Sequence, residues 1–426
     1  MIVELVKNDM KRSLGVTEPG AIAYAGAVAR SLLSGEIITI ELLLNSGIYK
    51  NSFTCGIPNT DKQGCAYAAA LGVLAGDAKK RLEALSSVTN DDSNKAQRLI
   101  EKDVVKVKIN AISSEIFIKL TLTTENGIVS VTIEGEHDRI SEILLNGLEI
   151  RKAEDKLCDS VLGGIGNFCI REIYEHCIST DVSKLDFLYD AFLCDRELFY
   201  EGKEKGFLKL TKAICGSLDE EGLSAHELSK LYTCGAIEAR VKGAMRPAMA
   251  IAGSGSHGIL CIMPVFSAGA ALRLKKDDVL IAALFSCAVT MYIKHFSGKL
   301  SAACGCVMAG GMGAALGLIM LRGLGFDAIL HGINTMASSL TGLICHGGNP
   351  GCVMKALSAV DMMFNAVRLA SFNVSVERMH GILDMNPDKT LQNMSIIASS
   401  GMLETENTIM EILVDKLNCG VDNLNV

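Results

Sequence analysis

"IFIKLTLTTENGIVSVTIEGEHDRISEILLNGLEI", residues 116–150, carries the decision about fold class. Its runs "IFIKLTLTT", "GIVSVTIEG" and "ISEILLNGLEI" are rich in β-branched residues and partly alternate apolar with polar side chains, which is the period of a half-buried strand. Asn146-Gly147 is the pair that a tight two-residue hairpin turn demands. Two earlier runs, "EIITIELLLNS" (36–46) and "DVVKVKINA" (103–111), read the same way. Together they predict a mostly antiparallel sheet.

The sheet is flanked by helical signals. "IVELVKNDMKRSL" (2–14) has helical spacing up to Gly15, and a second helix begins near Thr17-Glu18-Pro19, where Thr17 or Glu18 can cap and Pro19 suits the first turn. Residues 76–100 are polar and charge-dense, and read as a helix with a loop. From Lys152 the chain turns helical, with apolar residues at helical spacing in "DVSKLDFLYDAFLCDRELFYEG" (181–202). Beyond Thr233 long Gly/Ala/Met-rich runs predict closely packed buried helices. The expected architecture is α+β: an N-terminal region over 1–151, its first helices free to pack on the rest, followed by a large all-α domain over 152–426.

Composition narrows the function. The 426 residues are 49% hydrophobic, enough for a large core, and a net charge of -7 spread along the chain gives no footprint for nucleic acid. The 15 cysteines are odd in number and irregularly spaced, and Met1–Leu14 lacks the features of a secretory signal, so a reducing, cytoplasmic setting is expected. Leu300–Leu321 is uncharged and long enough to span a bilayer. It is dominated by Gly, Ala, Ser and Cys and lacks Trp and Tyr at its ends, so a buried core helix, with no membrane partner, is the expectation.

Three stretches carry chemistry. Cys345 and Cys352 lie on the bare loop of "GLICHGGNPGC" (342–352), and Cys304 in "GKLSAACGCVMAGG" (298–311) is a third thiol able to join them. Soft thiolates suit zinc or an iron-sulfur cluster, but the paired spacing of a zinc ribbon is missing, and packing residues in a Gly/Ala core are the bland reading. "AIAGSGSHGILCIMPV" (250–265) places Gly253, Ser254, Gly255 and Ser256 where backbone amides can cradle a carboxylate, or simply form a tight turn. It lacks the lysine of a nucleotide-binding P-loop. "NSGIYKNSFTCGIPNTDKQG" (45–64) offers Lys50, Asn51, Asn59 and Thr60 from a loop. His137, a lone histidine in "EGEHDRI", reads as structural, and Glu238 and Arg240 read as a helix-surface pair unless that helix is buried.

In order along the chain, "GVTEPGA" (15–21), "YKNSFTCGIPNT" (49–60), "IEARVKG" (237–243), "AGSGSHGI" (252–259), "YIKHFSGKLSAACG" (292–305) and "GLICHGGNPGCVMKALSA" (342–359) resemble the L-cysteine desulfidase family. The C-terminal half of that family is similar to the α region of iron-sulfur L-serine dehydratases. The resemblance implies a lyase with a 4Fe-4S cluster on Cys304, Cys345 and Cys352, which eliminates a leaving group from a small amino acid or related carboxylate. The family default is L-cysteine to pyruvate, ammonia and sulfide. It further implies that the glycine-rich loop, Lys50, Asn51 and Lys294 orient the substrate.

The chain departs from the family where "GCTEP" becomes "GVTEP": Val16 replaces a cysteine that is a candidate base, and valine accepts no proton. His257 and His346 stand at two further departures and are the expected substitutes, with Glu18 behind them. The alternative expectation is a non-catalytic ligand-binding or sensing protein on the same fold. Substrate identity, the role of Cys306 and homo-oligomerisation stay open at this point.

Overall fold

A computed structural model describes residues 1–153 and 164–418. In chain order the first part comprises α1 (Ile2–Asp9), β1 (Lys11–Ser13), α2 (Thr17–Leu32), β2 (Ile37–Leu44), α3 (Ser46–Ser52), α4 (Cys65–Ala75) and α5 (Asn90–Glu101), then β3 (Val105–Ile109), β4 (Phe117–Thr124), β5 (Gly127–Glu134), β6 (Ile140–Leu145) and β7 (Leu148–Lys152). Six strands form one sheet in the order β3-β2-β4-β5-β6-β7. Among the described residues of this sheet only the β2–β3 pairing is parallel, its long connection carrying α3, α4 and α5; β4, β5, β6 and β7 follow one another antiparallel through short connections, and β4 returns beside β2 antiparallel. The β6–β7 hairpin turns on Asn146 and Gly147, both with positive φ, as a mirror-image turn requires.

One face of this sheet is covered. Ile118, Leu120 and Leu122 of β4 and Val129, Val131 and Ile133 of β5 are all fully buried, beneath α2, with α4 packed against α2 in turn. Strict alternation in β4 leaves the intervening residues on the other side.

The remainder is helical: α6 (Ile170–Ile178), α7 (Asp186–Glu204), α8 (Lys209–Cys215), α9 (Ala225–Val241), the short β8 (Ala248–Ala250), α10 (Gly255–Ala271), α11 (Lys276–Ser297), α12 (Met312–Leu321), α13 (Gly325–Leu340), α14 (Gly351–Ser371), α15 (Pro387–Ala398) and α16 (Leu403–Asn418). The α+β expectation holds. The two hydrophobic cores exchange chain ends: Ile2, Val3 and Val6 of α1 belong to the helical core, while Ile409, Met410 and Leu413 of α16 belong to the sheet's.

Three local readings are corrected. Helical spacing over 2–14 stops at Asp9, because Lys11–Ser13 pairs antiparallel with Ala248–Ala250; a remote strand partner outweighs the local period. Helix α2 begins at Thr17 with Val16 as its cap residue and no side-chain capping bond, the Thr17 hydroxyl and Glu18 carboxylate being used elsewhere. The uncharged run 300–321 is not one helix: it passes through an isolated bridge at Ala303 and a π-helical turn, Cys306–Gly311, before α12 begins. Among the described residues the helix that does have membrane-like length and apolarity is α11, and 83% of its most apolar window is buried inside the protein, as befits a core helix.

Candidate functional site

Cys304 and Cys345 are brought together by a two-rung antiparallel contact. The Cys304 N–H donates to the Leu343 carbonyl and the Cys345 N–H to the Ala302 carbonyl, both at 2.7 Å. The chain then turns through Gly347, which has a φ of +100° and a backbone so close to α3 that a Cβ there would lie 2.3 Å from the Lys50 carbonyl oxygen. Cys352 follows in the first turn of α14, its thiol facing the Gly347 carbonyl at 3.4 Å. All three thiols, with Cys306, line a single cavity.

The same cavity is lined by cations. Lys294, on buried α11, is 1% exposed; desolvation brings its ammonium down to about 8 against the pull of the cysteines. The Lys355 ammonium also lines the cavity and has no hydrogen-bond partner. Arg240 is 3% exposed, donating from Nη1 to the Ser256 hydroxyl at 2.7 Å and from Nη2 to the Thr17 hydroxyl at 3.1 Å. Its Nε is buried and unpartnered. Burial lowers the guanidinium from its ordinary value, without bringing it near neutrality.

This corrects the surface-pair reading of Glu238 and Arg240. Helix α9 is buried, and residues two apart face away from each other. Glu238 instead accepts from the backbone N–H groups of Leu210 and Thr211 at 2.9 and 2.8 Å, holding the start of α8. Arg240 is the site residue the sequence reading missed; α9 also carries Glu227, Lys230 and Glu238, so a charge there gave no signal by itself.

The glycine-rich segment delivers a helix N-terminus. Ile251 and Ser254 close a tight turn on each other, with Ala252 and Gly253 at positive φ, and α10 starts at Gly255. Ser254, Ser256 and His257 face the cavity. The His257 ring bonds through Nδ1 to the Ile251 carbonyl at 3.1 Å, which fixes Nδ1 as the donor and leaves Nε2 as an acceptor. That nitrogen and the Lys294 ammonium converge on Gly305, where a Cβ would lie 2.8 Å from one and 3.1 Å from the other. Burial, and then the Lys294 charge, depress His257 to about 3, so the ring is neutral.

Electrostatics also divide the thiols. Cys304 is lowered to about 6, first by the hydrogen bond from Cys306 and further by the Lys355 charge and local backbone N–H groups, against the cost of burial. Cys306 is raised correspondingly. Burial, followed by the Cys304 charge, pushes Cys352 up to about 11.

Glu18 and Asn51 complete the lining: Asn51 Nδ2 donates to Glu18 Oε1 at 2.7 Å, and its Oδ1 faces the Cys345 thiol at 3.6 Å. Val16 is on the same wall, packed with Cys55, Val241 and Cys352. Other candidates fall elsewhere. The Lys50 ammonium is buried against Glu406 of α16 at 2.5 Å and the Ser301 carbonyl at 3.2 Å. His346 is tied to Asn349 within its own loop at 3.1 Å and does not line the cavity. Thr60 borders a separate polar cavity with Asp61, Lys62 and Lys205. Gly253 and Gly255 contribute backbone shape.

A cavity with one carboxylate, several thiols, unpaired cations and a helix N-terminus defines a candidate enzyme site for a small anionic molecule. A family model described as serine dehydratase alpha chain matches residues 79–411, and the chain belongs to that family. Relatives at full length include UPF0597 proteins of Clostridium botulinum, 33% identical over 97% of this chain and 98% of that protein, and of Clostridium tetani, 33% identical over 98% and 99%. One from Desulforapulum autotrophicum is 32% identical over 98% of both chains.

Proposed function

We propose that this protein is an iron-sulfur lyase that eliminates a leaving group from a small α-amino acid or related carboxylate, with conversion of L-cysteine to pyruvate, ammonia and sulfide as the first activity to test. The observation that carries the reading is the convergence of Cys304, Cys345 and Cys352 on one cavity that Arg240 and Lys294 also line. The donor set suits a 4Fe-4S cluster. Among the described residues no three Cys, His, Asp or Glu side chains group as ligands of a single ion; a cluster instead takes each thiolate on its own iron. The depressed value of Cys304, with the Cys306 hydrogen bond and then the Lys355 charge acting on it, favours thiolate over thiol at that ligand. Held by three cysteines, such a cluster would supply an open iron as Lewis acid to the departing group.

The chain's own residues do the rest. Arg240 Nε and the α10 N-terminus bind the substrate carboxylate. Neutral His257, fixed by Ile251, keeps a lone pair on Nε2 to accept from the substrate ammonium or from Lys294. Glu18 takes the α-proton, being the one carboxylate among the described residues of the lining. His346 lies outside this wall and His257 is too weak a base for that task. Asn51 aims the carboxylate through its 2.7 Å bond.

The test is iron and acid-labile sulfide content of anaerobically purified protein together with anaerobic assays for pyruvate, ammonia and sulfide from cysteine, serine and their analogues. About four irons per chain with turnover is the expected result; ligand-induced thermal stabilisation with no turnover of any compound would replace it with the ligand-binding reading that Val16 suggests.

A further inference from the structure

Behind Glu18, on the side away from the thiols, lies a second cavity, lined by Asn8, Asp9, Lys11, Glu136, His137 and Asp138 among others. Neither Glu18 nor Cys304 borders it, and His137 does not border the first. The His137 imidazole lines the second cavity and approaches Glu18, which lines the first. It is 5% exposed, and both its ring nitrogens are buried with no hydrogen-bond partner. Its Nε2 lies 3.9 Å from Glu18 Oε1, and its Nδ1 faces Gly253, whose Cβ would stand 3.3 Å away.

A neutral imidazole that leaves a donor and an acceptor unsatisfied costs about 1–3 kcal/mol per group. A packing residue would not need a ring with two such atoms. The separation from Glu18 is about an ångström beyond a hydrogen bond, so a small side-chain movement makes or breaks the link. The same turn ties the second cavity to the first: Asp9 accepts from the Ala252 N–H at 2.5 Å, at the strained start of the glycine-rich loop.

We propose that Glu18 and His137 form a proton relay that carries the proton removed in the thiol-lined cavity out to the second cavity. The proposal rests on the lyase reading. The α-proton passes to the Glu18 carboxylate, then from Glu18 to His137 Nε2, while the proton on Nδ1 leaves to water in the second cavity. Glu18 is returned to carboxylate, the ring stays neutral overall, and no electron is transferred to or from the protein. The relay ends in the second cavity, whose lining includes none of the thiols, so the proton has an exit other than the thiol-lined cavity.

The charged groups around His137 set its balance. Burial lowers it from its ordinary value; Glu18 from α2, and Glu136 and Asp138 from its own loop, oppose this, while Lys299 from the segment after α11 adds to it. Lys299 pairs with Glu136, and Lys11 and Arg81 with Asp138, and Asp9 lines the same cavity from α1. His137 acts through Glu18 and is a positioning and transfer residue.

His137→Gln and His137→Phe, measured in the full protein with its iron content checked, should each lower kcat at least tenfold with KM within twofold. A solvent isotope effect should grow, and the acidic limb of the kcat profile should move. Added imidazole should restore part of the rate to the Phe variant. In parallel, nitrogen-15 NMR of the His137 ring should show its titration moving down in Glu18→Gln, because the opposing carboxylate charge is gone. Wild-type turnover with unchanged kcat, pH profile and isotope effect in both His137 variants overturns the relay and leaves the lyase reading intact. An unmoved His137 titration in Glu18→Gln also overturns it, whatever the activity; absence of turnover in the wild type removes the lyase reading and the relay with it.

Discussion

Replacing Arg240 by methionine separates binding from folding. The guanidinium is 3% exposed, gives two hydrogen bonds to neutral hydroxyls and, among the described residues, forms no ion pair. Its desolvation is therefore only partly offset within the protein, chiefly by the charge of Glu18, and methionine of similar length removes a buried charge while costing about 1 kcal/mol for each lost bond. The expected change in stability is small, within about 2 kcal/mol in either direction. A substrate carboxylate loses the free Nε donor outright. One charge-assisted hydrogen bond contributes about 1.5–3 kcal/mol, which is about 10- to 150-fold in kcat/KM. Thermal melting of Arg240→Met, with and without substrate, and steady-state release of pyruvate supply both numbers. Arg240→Lys should recover only part of the loss, since its three donors sit on one nitrogen and cannot take the separate positions of Nη1, Nη2 and Nε. A kcat/KM within threefold of wild type, in a variant that melts normally, would refute the assignment of Arg240 as the carboxylate anchor.

Cys304→Ala, Cys345→Ala and Cys352→Ala should each lose most of the iron after anaerobic reconstitution, whereas Cys306→Ala should keep it; full iron in any of the first three removes that ligand. Lys50→Met leaves Glu406 buried without its partner and should destabilise the protein by about 3–5 kcal/mol, while Lys50→Met with Glu406→Leu recovers most of that in denaturant titration; two additive losses would show that the pair is not coupled. Asp9 carries a raised value, about 6 against an ordinary 3.8, chiefly from burial. The folded state then binds the proton more tightly than the unfolded chain, so its favourable contribution is complete below about 4 and is lost as pH rises through about 6. Asp9→Asn should accordingly raise the melting temperature above pH 6, with the gain shrinking toward pH 4; a gain that is flat with pH would place its cause elsewhere.

Much of the fold was legible in the residues themselves. Period-two runs and an Asn-Gly pair are local signals, and the sheet they build answers to them because each side chain's face follows from its own parity. Long Gly/Ala-rich stretches announced buried helices, since nothing in them favours water. Where the reading went astray, a distant partner had intervened: Lys11–Ser13 left its helix for Ala248–Ala250, and the run 300–321 broke where Ala303 bridges Ile344.

The candidate site divides in the same way. Which chemical groups were on offer could be read from order and type along the chain: three thiols, a glycine-rich turn, an acid two residues after Val16. The family resemblance placed the three thiols at one site, but which other candidates join them in a cavity could not be read from order and type. His257 and His346 each sit beside glycines and looked equivalent; one is aimed inward by the start of α10, and the other is folded back onto Asn349. Lys50 looked like a substrate contact and is spent on Glu406, 356 residues away. Arg240 and His137 looked ordinary because neighbouring sequence says nothing about being unpartnered. That property belongs to the space around a side chain, and the space is made by segments from both ends of the chain closing on one another. Sequence by itself determined the elements and the inventory of reactive groups, while the tertiary structure alone decided which charges were left unpaid in the dark, because solvation is a property of packing and not of residue order.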